Sequence, residues 1–344
     1  MTSLATFNNL GALAFLQRYP VTRLGSQANP TPAPLGAPLP RAYEKGNAAT
    51  GRATVDSSLR LLHFDVAADA TANAGVVSAN CLAPCKISIG SSHGGGNPVY
   101  YLPYNNDEHH RITLTNKQAL ANDDFFLTAL VDGCSIYVEG TAANPSVTHL
   151  NAVGTNAGAA GALTPDQKRR LDWLMKYAEM DRRFANDGTK PKRILAAAGL
   201  TPSRKLEAQD YMITPGSADE ANFELSLPAL QVAGKAPAQV GVLSVDAMRL
   251  MSTQGTVFGY RGGGGNWHFH VQRRALVEYF HQTMVPLPLP GATIGDKIRY
   301  FGRGGPPPRF GPAQAQINLQ SLGRQWVIRD TPEFWPGVAT GRAA

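Results

Sequence analysis

Cys134 and His149 flank a predicted turn in a way that brings a thiol next to an imidazole. Residues 134–139 and 144–149 both have the composition of β-strands, and the Gly140-Thr-Ala-Ala-Asn-Pro segment between them is typical of a turn. If the two strands pair around Thr141 and Ala142, Cys134 is directly opposite His149. The Cβ atoms of directly opposed residues are about 4.5–5.5 Å apart and point to the same face. The sequence therefore predicts a Cys–His pair on one hairpin.

Such a pair can hydrolyse an amide. An ordinary thiol has a pKa of about 8.5, and a neighbouring imidazole can take its proton. The thiolate then attacks the carbonyl carbon, the imidazolium protonates the departing ammonia, and water hydrolyses the thioester. On a glutamine side chain the product is glutamate, whereas an amine in place of water gives transglutamination. The same pair is compatible with a thiol protease. A lone cysteine in a strand is also commonly a small core residue, which would favour a non-catalytic binding module.

The elements around this hairpin are mostly predicted strands. Residues 86–90 alternate in polarity, and residues 99–104, 255–261 and 267–271 have strand composition, the last two as a hairpin. Acidic residues before Phe125 indicate the start of a short helix that would end at Gly133. An apolar stripe at helical spacing predicts a helix over residues 164–184.

The hairpin segment resembles a known group of toxins. Asp123-Asp-Phe-Phe-Leu-Thr-Ala-Leu-Val-Asp-Gly-Cys-Ser-Ile-Tyr-Val, followed by Pro145-Ser-Val-Thr-His-Leu-Asn-Ala, is similar to the active-site segment of the glutamine deamidases related to the Burkholderia lethal factor. That group includes the cytotoxic necrotizing factors and the chemotaxis-receptor deamidases, which share a Gly-Cys followed by a His. The resemblance covers about residues 85–152, with a weaker similarity over 255–272.

The resemblance implies both a fold and a set of roles. The fold would be α+β, with a central β-sandwich of mixed sheets flanked by helices. Cys134 would be the nucleophile, His149 the base and Thr128 a hydroxyl that aids the site, with no cofactor or metal. The chain would be a secreted bacterial effector that acts in the host cytosol. Its substrate would be a host protein, which is a translation-initiation helicase for the lethal factor and a Rho-type GTPase for the necrotizing factors.

Asp132 departs from the pattern of the lethal factor, which has a serine at this position. A carboxylate close to a thiol disfavours the thiolate, so Asp132 is expected to reduce the reactivity of Cys134.

Three regions are predicted from composition. Residues 1–55 form a mobile leader rich in Pro, Gly and Ala, residues 56–285 form the catalytic domain, and residues 286–344 form an irregular tail rich in Pro, Gly and Arg. A basic helical insertion at about 160–210 interrupts the domain. Residues 160–205 hold 11 Lys or Arg and 5 Asp or Glu, a balance of +6 against +7 for the whole chain. Residues 164–205 are therefore a candidate docking face for an acidic partner, with a solvated helix surface as the alternative.

The remaining features exclude several classes of protein. The sequence contains no nucleic-acid reader motif, so we expect no nucleic-acid partner. We also expect no membrane span and no cleavable signal peptide. Cys81 and Cys85 are interpreted as a local disulfide or two unrelated thiols rather than half of a metal site. His268 and His270 share one strand face and are interpreted as sheet histidines rather than metal ligands.

Overall fold

The computed structural model describes part of the chain. The described ranges are 2–24, 43–47, 53–55, 62–69, 76–78, 84–90, 97–103, 108–114, 125–151, 204–213, 223, 230–232, 247–286 and 315–337.

Strands dominate the described residues. The helices are α1 (Leu4–Leu10), α2 (Ala12–Leu16) and α3 (Ala208–Tyr211). The strands are β1 (Val21–Leu24), β2 (Tyr43–Asn47), β3 (Ala53–Val55), β4 (Leu62–Ala68), β5 (Val76–Ser78), β6 (Cys85–Gly90), β7 (Asn97–Leu102), β8 (Glu108–Thr113), β9 (Phe125–Thr128), β10 (Ser135–Thr141), β11 (Asn144–Asn151), β12 (Arg204–Leu206), β13 (Leu230–Val232), β14 (Ala247–Arg261), β15 (Trp267–Pro286), β16 (Ala315–Asp330) and β17 (Glu333–Trp335).

Most of these strands belong to two sheets. One sheet of nine described strands has the order β1-β6-β4-β7-β9-β14-β15-β16, and β17 pairs with β15. It is mixed, because β1 runs parallel to β6 and β7 runs parallel to β9. A second sheet of six described strands has the order β12-β10-β11-β8-β2-β3, and β13 pairs separately with β5. The β10–β11 hairpin thus lies inside the second sheet, between β12 and β8.

The main hydrophobic core lies between these two sheets. Val257, Phe269 and Val271 of the nine-stranded sheet and Ile136 and Val147 of the six-stranded sheet are all fully buried in one cluster. In β14, Val257 belongs to this core and the next residue, Phe258, belongs to the core on the opposite face, as expected for the alternation of side chains along a strand. The mainly β character and the mixed strand directions expected for the central sheets are therefore present, the latter in the nine-stranded sheet.

A second core covers the other face of the nine-stranded sheet. Phe7, Phe15 and Leu16 of the two N-terminal helices pack with Phe64 and Phe125 of that sheet. The ring of Phe7 contacts those of Phe64 and Phe125, with centroids 5.0 and 5.2 Å apart. The edge-on geometry of these contacts is the arrangement that aromatic quadrupoles favour.

Gln272 fastens the N-terminal segment to β15. Its side-chain nitrogen donates to the carbonyls of Leu16 and Tyr19 at 2.6 and 2.8 Å, and its oxygen accepts from the Val21 N–H at 2.9 Å. The Gln272 side chain is fully buried, so these three bonds satisfy backbone groups that water does not reach. The N-terminal residues are consequently an integral layer of the fold.

Several predictions about the elements need correction. The expected α+β class was wrong in its balance, since the described residues are mainly β and their helices are short. The mobile leader over residues 1–55 was wrong for residues 2–24, which bury aromatic side chains, and the irregular tail was wrong for residues 315–335, which form two strands. Most of the predicted insertion at 160–210, with its docking face, lies outside the described residues. Its described end forms β12 and α3.

Within the part of the chain that the structure describes, no helix has both the length and the apolar character needed to cross a membrane.

Candidate active site

The chain reaches Cys134 through a turn that is fixed to the nine-stranded sheet. Val131 and Gly255 exchange two backbone hydrogen bonds, with N–H to O distances of 2.9 and 2.8 Å. Gly133 then has φ 134°, a conformation that favours glycine because it has no Cβ. Cys134 is the next residue, and β10 begins immediately after it. The helix predicted before Gly133 was wrong: its first residues form β9, whose buried positions suit a central strand.

Gly255 makes the close approach of this turn possible. A Cβ at position 255 would lie 2.7 Å from Val131 Cγ2 and 3.2 Å from Val271 Cγ2. Contacts this short force the neighbours apart, and overpacking of a core typically costs about 1–3 kcal/mol. We expect Gly255→Ala to lower the free energy of unfolding by that amount, measured from the urea midpoint. Gly263→Ala is the matched control, because a Cβ there meets nothing within 4 Å. Equal midpoints for the two variants would contradict the crowding argument.

His149 is deeply buried on β11. Its exposed fraction is 0%, it is the register partner of His110 on β8, and its ring lies next to the backbone of Leu102. The pKa of His149 is lowered to about 3, mainly by burial and to a smaller extent by the neighbouring His110, and the Leu102 backbone acts in the opposite direction. The imidazole is therefore neutral near pH 7, with a lone pair that can accept a proton.

The hairpin register differs by two residues from the predicted one. His149 is opposite Ile136 rather than Cys134, and Ser135 is opposite Leu150. The prediction was wrong because the strands continue through Gly140 and Pro145 to a tighter turn. A shift of two residues preserves the face, so Cys134 and His149 still share the core side of the sheet. They are diagonal neighbours, for which typical separations are about 7–8 Å, with the Cβ atoms somewhat closer.

Cys134 is held through its backbone by a tyrosine from α3. The Tyr211 hydroxyl donates to the Cys134 carbonyl at 2.8 Å and accepts from the Gly133 N–H at 2.8 Å. Cys134 itself is 3% exposed and belongs to the core between the sheets. The thiol is therefore placed in an apolar layer next to a fixed backbone turn.

Thr128 is the last residue of β9 and the register partner of Leu102 in the parallel β7–β9 pair. It is fully buried, and its hydroxyl donates to the carbonyls of Ala129 and Val257 at 2.7 and 3.5 Å. Thr128 is thus paired with the Leu102 backbone, which lies next to the His149 ring. Its predicted part in the chemistry stays a prediction.

Asp132 lies in the same turn and is partly exposed. Burial lowers the pKa of the Arg274 guanidinium to about 9. The nearby Cys85 and, to a smaller extent, the negative charge of Asp132 oppose this lowering. The carboxylate therefore has a buried cation within its electrostatic range, and its expected effect on the Cys134 thiol stays a prediction.

Sequence reasoning missed three residues that shape this site. Leu102 contributes only its backbone, Gly255 contributes only the absence of a side chain, and Tyr211 lies 77 residues from Cys134 in the sequence. One signal for the element that carries Tyr211 was available. Glu207 and Asp210 have the spacing of a capping box, and both of its reciprocal hydrogen bonds are present.

His268 and His270 belong to a separate aromatic cluster on the hairpin of β14 and β15. The Tyr260 ring stacks on both imidazoles, with centroids 5.6 and 5.5 Å apart. His268 Nδ1 lies 2.8 Å from a Glu333 carboxylate oxygen, and His270 Nδ1 lies 3.4 Å from the Thr331 carbonyl. Over the described ranges no group of three or more His, Cys, Asp or Glu side chains could hold a metal ion. These contacts agree with the interpretation as sheet histidines.

Cys85 is a buried free thiol on β6, and burial raises its pKa to about 12. Such a thiol is unreactive at neutral pH, which makes Cys85 a useful reference for Cys134. Cys81, the other member of the predicted pair, lies outside the described residues.

Comparisons with known proteins add little to this geometry. No known protein family matches the sequence, and no curated protein matches it. One solved structure that matches is the C-terminal domain of CNFy from Yersinia pseudotuberculosis, with 11% sequence identity and a TM-score of 0.30. The match covers 80% of this chain and 92% of that domain. A TM-score of this size carries no argument about function, which has to be derived from the residues of this chain.

Proposed function

We propose that this protein deamidates a glutamine side chain of a host protein, with Cys134 as nucleophile and His149 as base. The observation that carries the proposal is that Cys134 and His149 are buried at diagonal positions of one hairpin, on the face that also carries Ile136 and Val147. The sequence around them has the Gly-Cys and His pattern of glutamine deamidase toxins.

The reaction begins when the thiol proton moves to His149 as the sulfur attacks the amide carbonyl carbon. The imidazolium then gives its proton to the amide nitrogen, the C–N bond breaks, and ammonia leaves a thioester on Cys134. A water molecule loses a proton to His149 and attacks the thioester carbon. The C–S bond breaks, and the sulfur recovers its proton from His149. The net change is glutamine plus water to glutamate plus ammonia.

The buried position of His149 defines its role in these steps. A ring with a pKa of about 3 is neutral at pH 7 but is a weak base, so in the proposed mechanism the negative charge that develops on the Cys134 sulfur has to stabilise the imidazolium as the proton moves. The imidazolium formed during the reaction is unstable in this setting, which favours rapid delivery of the proton to the leaving nitrogen. The nearby Leu102 backbone opposes this destabilisation, because it raises the pKa of His149.

The burial of Cys134 favours a second candidate function. At 3% exposure the residue is as inaccessible as an ordinary core cysteine, which suits a binding module with an inert thiol. In the catalytic case, a bound glutamine has to displace the material over the sulfur. The rate at which iodoacetamide alkylates Cys134 at pH 7 separates the two, with Cys85 in the same protein as the slow internal reference.

The decisive test of the proposed function is peptide mass spectrometry on eukaryotic-cell lysate treated with the protein. We expect glutamine-to-glutamate conversion at a defined site of one or a few proteins with the wild type and complete loss of it with Cys134→Ala. Cys85→Ala removes the other described thiol, which is also buried, and is expected to retain conversion.

Other outcomes point to the rival functions. Cleavage of a partner protein would identify a thiol protease, and amine incorporation that outruns conversion would identify a transglutaminase. If neither wild type nor variant changes any protein, and Cys134 is alkylated no faster than Cys85, the binding module is the correct account.

A further inference from the structure

The Tyr211 hydroxyl bridges the two main-chain groups next to the Cys134 thiol. It accepts from the Gly133 N–H and donates to the Cys134 carbonyl, each at 2.8 Å. These bonds act on the peptide units on both sides of the turn where φ of Gly133 is 134°. The direction of the Cys134 Cα–Cβ bond follows from the geometry of those units, so the phenol fixes the bond that carries the sulfur.

Tyr211 is itself held firmly at the end of a short, well-anchored segment. β12 pairs with β10 through Leu206 and Ile136, so the segment begins directly beside the strand that follows Cys134. The Glu207 carboxylate caps α3, and the Met212 N–H donates to the Ala208 carbonyl at 2.7 Å. The segment therefore joins the nucleophile strand at one end and supports the nucleophile turn at the other.

The nine-stranded sheet fixes the same segment from the other side. Arg273 donates to the Asp210 carbonyl at 3.0 Å and also pairs with Asp330. The Ile213 N–H donates to the Thr253 hydroxyl at 3.4 Å. The Tyr211 ring passes close to Gly255, where a Cβ would be 3.3 Å from Tyr211 Cδ2. A ring that is packed this closely has little freedom to change its rotamer.

The electrostatic state of the phenol agrees with its bonds. Burial raises the pKa of Tyr211 well above its usual value, and the adjacent Cys134 raises it further. The phenol therefore keeps its proton, which it needs in order to donate to the Cys134 carbonyl.

We propose that Tyr211 is a positioning residue that aims the Cys134 thiol at His149 through its two hydrogen bonds to the Gly133–Cys134 backbone. This inference deepens the proposed function, because it names what aligns the nucleophile with its base. Tyr211 touches the backbone of the nucleophile and acts through it on the sulfur.

The test is a double-mutant cycle on the iodoacetamide alkylation rate of Cys134 at pH 7, which needs no substrate. The four proteins are wild type, Tyr211→Phe, His149→Ala and the double variant. We expect either single change to slow alkylation, and His149→Ala to have no more than about a twofold further effect once Tyr211 has lost its hydroxyl, because residues that act as a unit are not additive. Additive effects would mean that Tyr211 only supports the fold and would overturn the proposal, as would alkylation indifferent to both changes.

Tyr279→Phe is the matched control. Tyr279 is fully buried in the same core. Val271 lies beside Gly255, near Tyr211, and Tyr279 is eight positions further along β15, roughly 26 Å at about 3.3 Å per residue. It is expected to leave the alkylation rate unchanged. If Tyr211→Phe does not fold, 3-fluorotyrosine at position 211 keeps the ring and hydroxyl and alters only hydrogen-bond strength. An alkylation rate unaffected by fluorination overturns the proposal.

With a glutamine substrate in hand, Tyr211→Phe is expected to lower kcat by about 100-fold, the effect of a displacement on the order of 1 Å, with KM unchanged. The failure of the two proposals can be told apart. Coupled alkylation without any deamidation by wild type refutes the proposed reaction and leaves the positioning role standing. Deamidation with additive alkylation effects does the reverse.

Discussion

Replacing His149 with alanine is expected to lower kcat for glutamine conversion by about 10²–10⁴-fold, the usual contribution of a general acid–base group. The physical reason is that in the proposed mechanism the thiol proton passes to His149, which is buried and neutral at pH 7. KM is expected to change little, since His149 moves a proton and does not hold the rest of the substrate. Steady-state kinetics of ammonia release would measure both constants.

Two controls make this prediction specific. Added free imidazole is expected to restore part of the activity of His149→Ala, because it supplies the missing base without altering the fold. His270→Ala removes another buried histidine, one that lies on β15 of the other sheet, and should retain activity. A His149→Ala variant that keeps activity within about tenfold of wild type would remove this residue from the mechanism.

Acid is expected to destabilise the protein strongly through His149. Its pKa is about 3 when folded and about 6.5 when unfolded, so the unfolded chain binds the proton more tightly. Stability is therefore lost as the pH falls below about 6.5, at up to about 1.4 kcal/mol per pH unit, and the loss is complete near pH 3. Between pH 6.5 and 4 the His149 contribution amounts to about 3 kcal/mol, a large part of the stability of an ordinary domain.

Urea unfolding at pH 7 and pH 4 would measure this loss. His149→Leu lacks the titrating group, so wild type is expected to lose about 3 kcal/mol more than this variant over the interval. The remaining acid-sensitive groups, including His270 with its lowered pKa, are present in both proteins and cancel in the difference. Equal losses in the two proteins would show that His149 is not buried as a neutral ring in solution.

The Cys134–His149 pair was accessible to sequence reasoning because both residues lie on one hairpin. Strand composition on either side of a turn is a local pattern, and it places the two side chains on one face without any information about distant chain. The register was not accessible at the same level. Gly140 and Pro145 are turn formers by type, but here they pair with each other inside the strands, with φ of Gly140 at 87°. Contact with the rest of the fold sets the tip instead, where the Trp267 N–H donates to the Ala142 carbonyl at 2.7 Å.

The residues that tune the pair could not be found in this way. Tyr211 and Leu102 reach the site through pairings between strands that are far apart in the chain, and Leu102 uses a backbone group that every residue has. The N-terminal helices were not predicted, for a related reason. They are short and weakly patterned. Their positions depend on the side-chain amide of Gln272, which accepts from the Val21 N–H across 251 residues of sequence. Tertiary packing overrides local propensity in such segments.

The buried Gln272 amide also bears on how the protein can be divided. A recombinant fragment that starts at residue 56, where the composition changes, would still contain the proposed catalytic pair and both strands, β8 and β12, that pair with its hairpin. It would nevertheless expose the side chains of the nine-stranded sheet against which Phe7 and Phe15 pack. It would also leave three hydrogen-bonding positions of Gln272 without their backbone partners. The boundaries of an active fragment are thus set by a side chain deep in β15, not by the composition of the chain near its start.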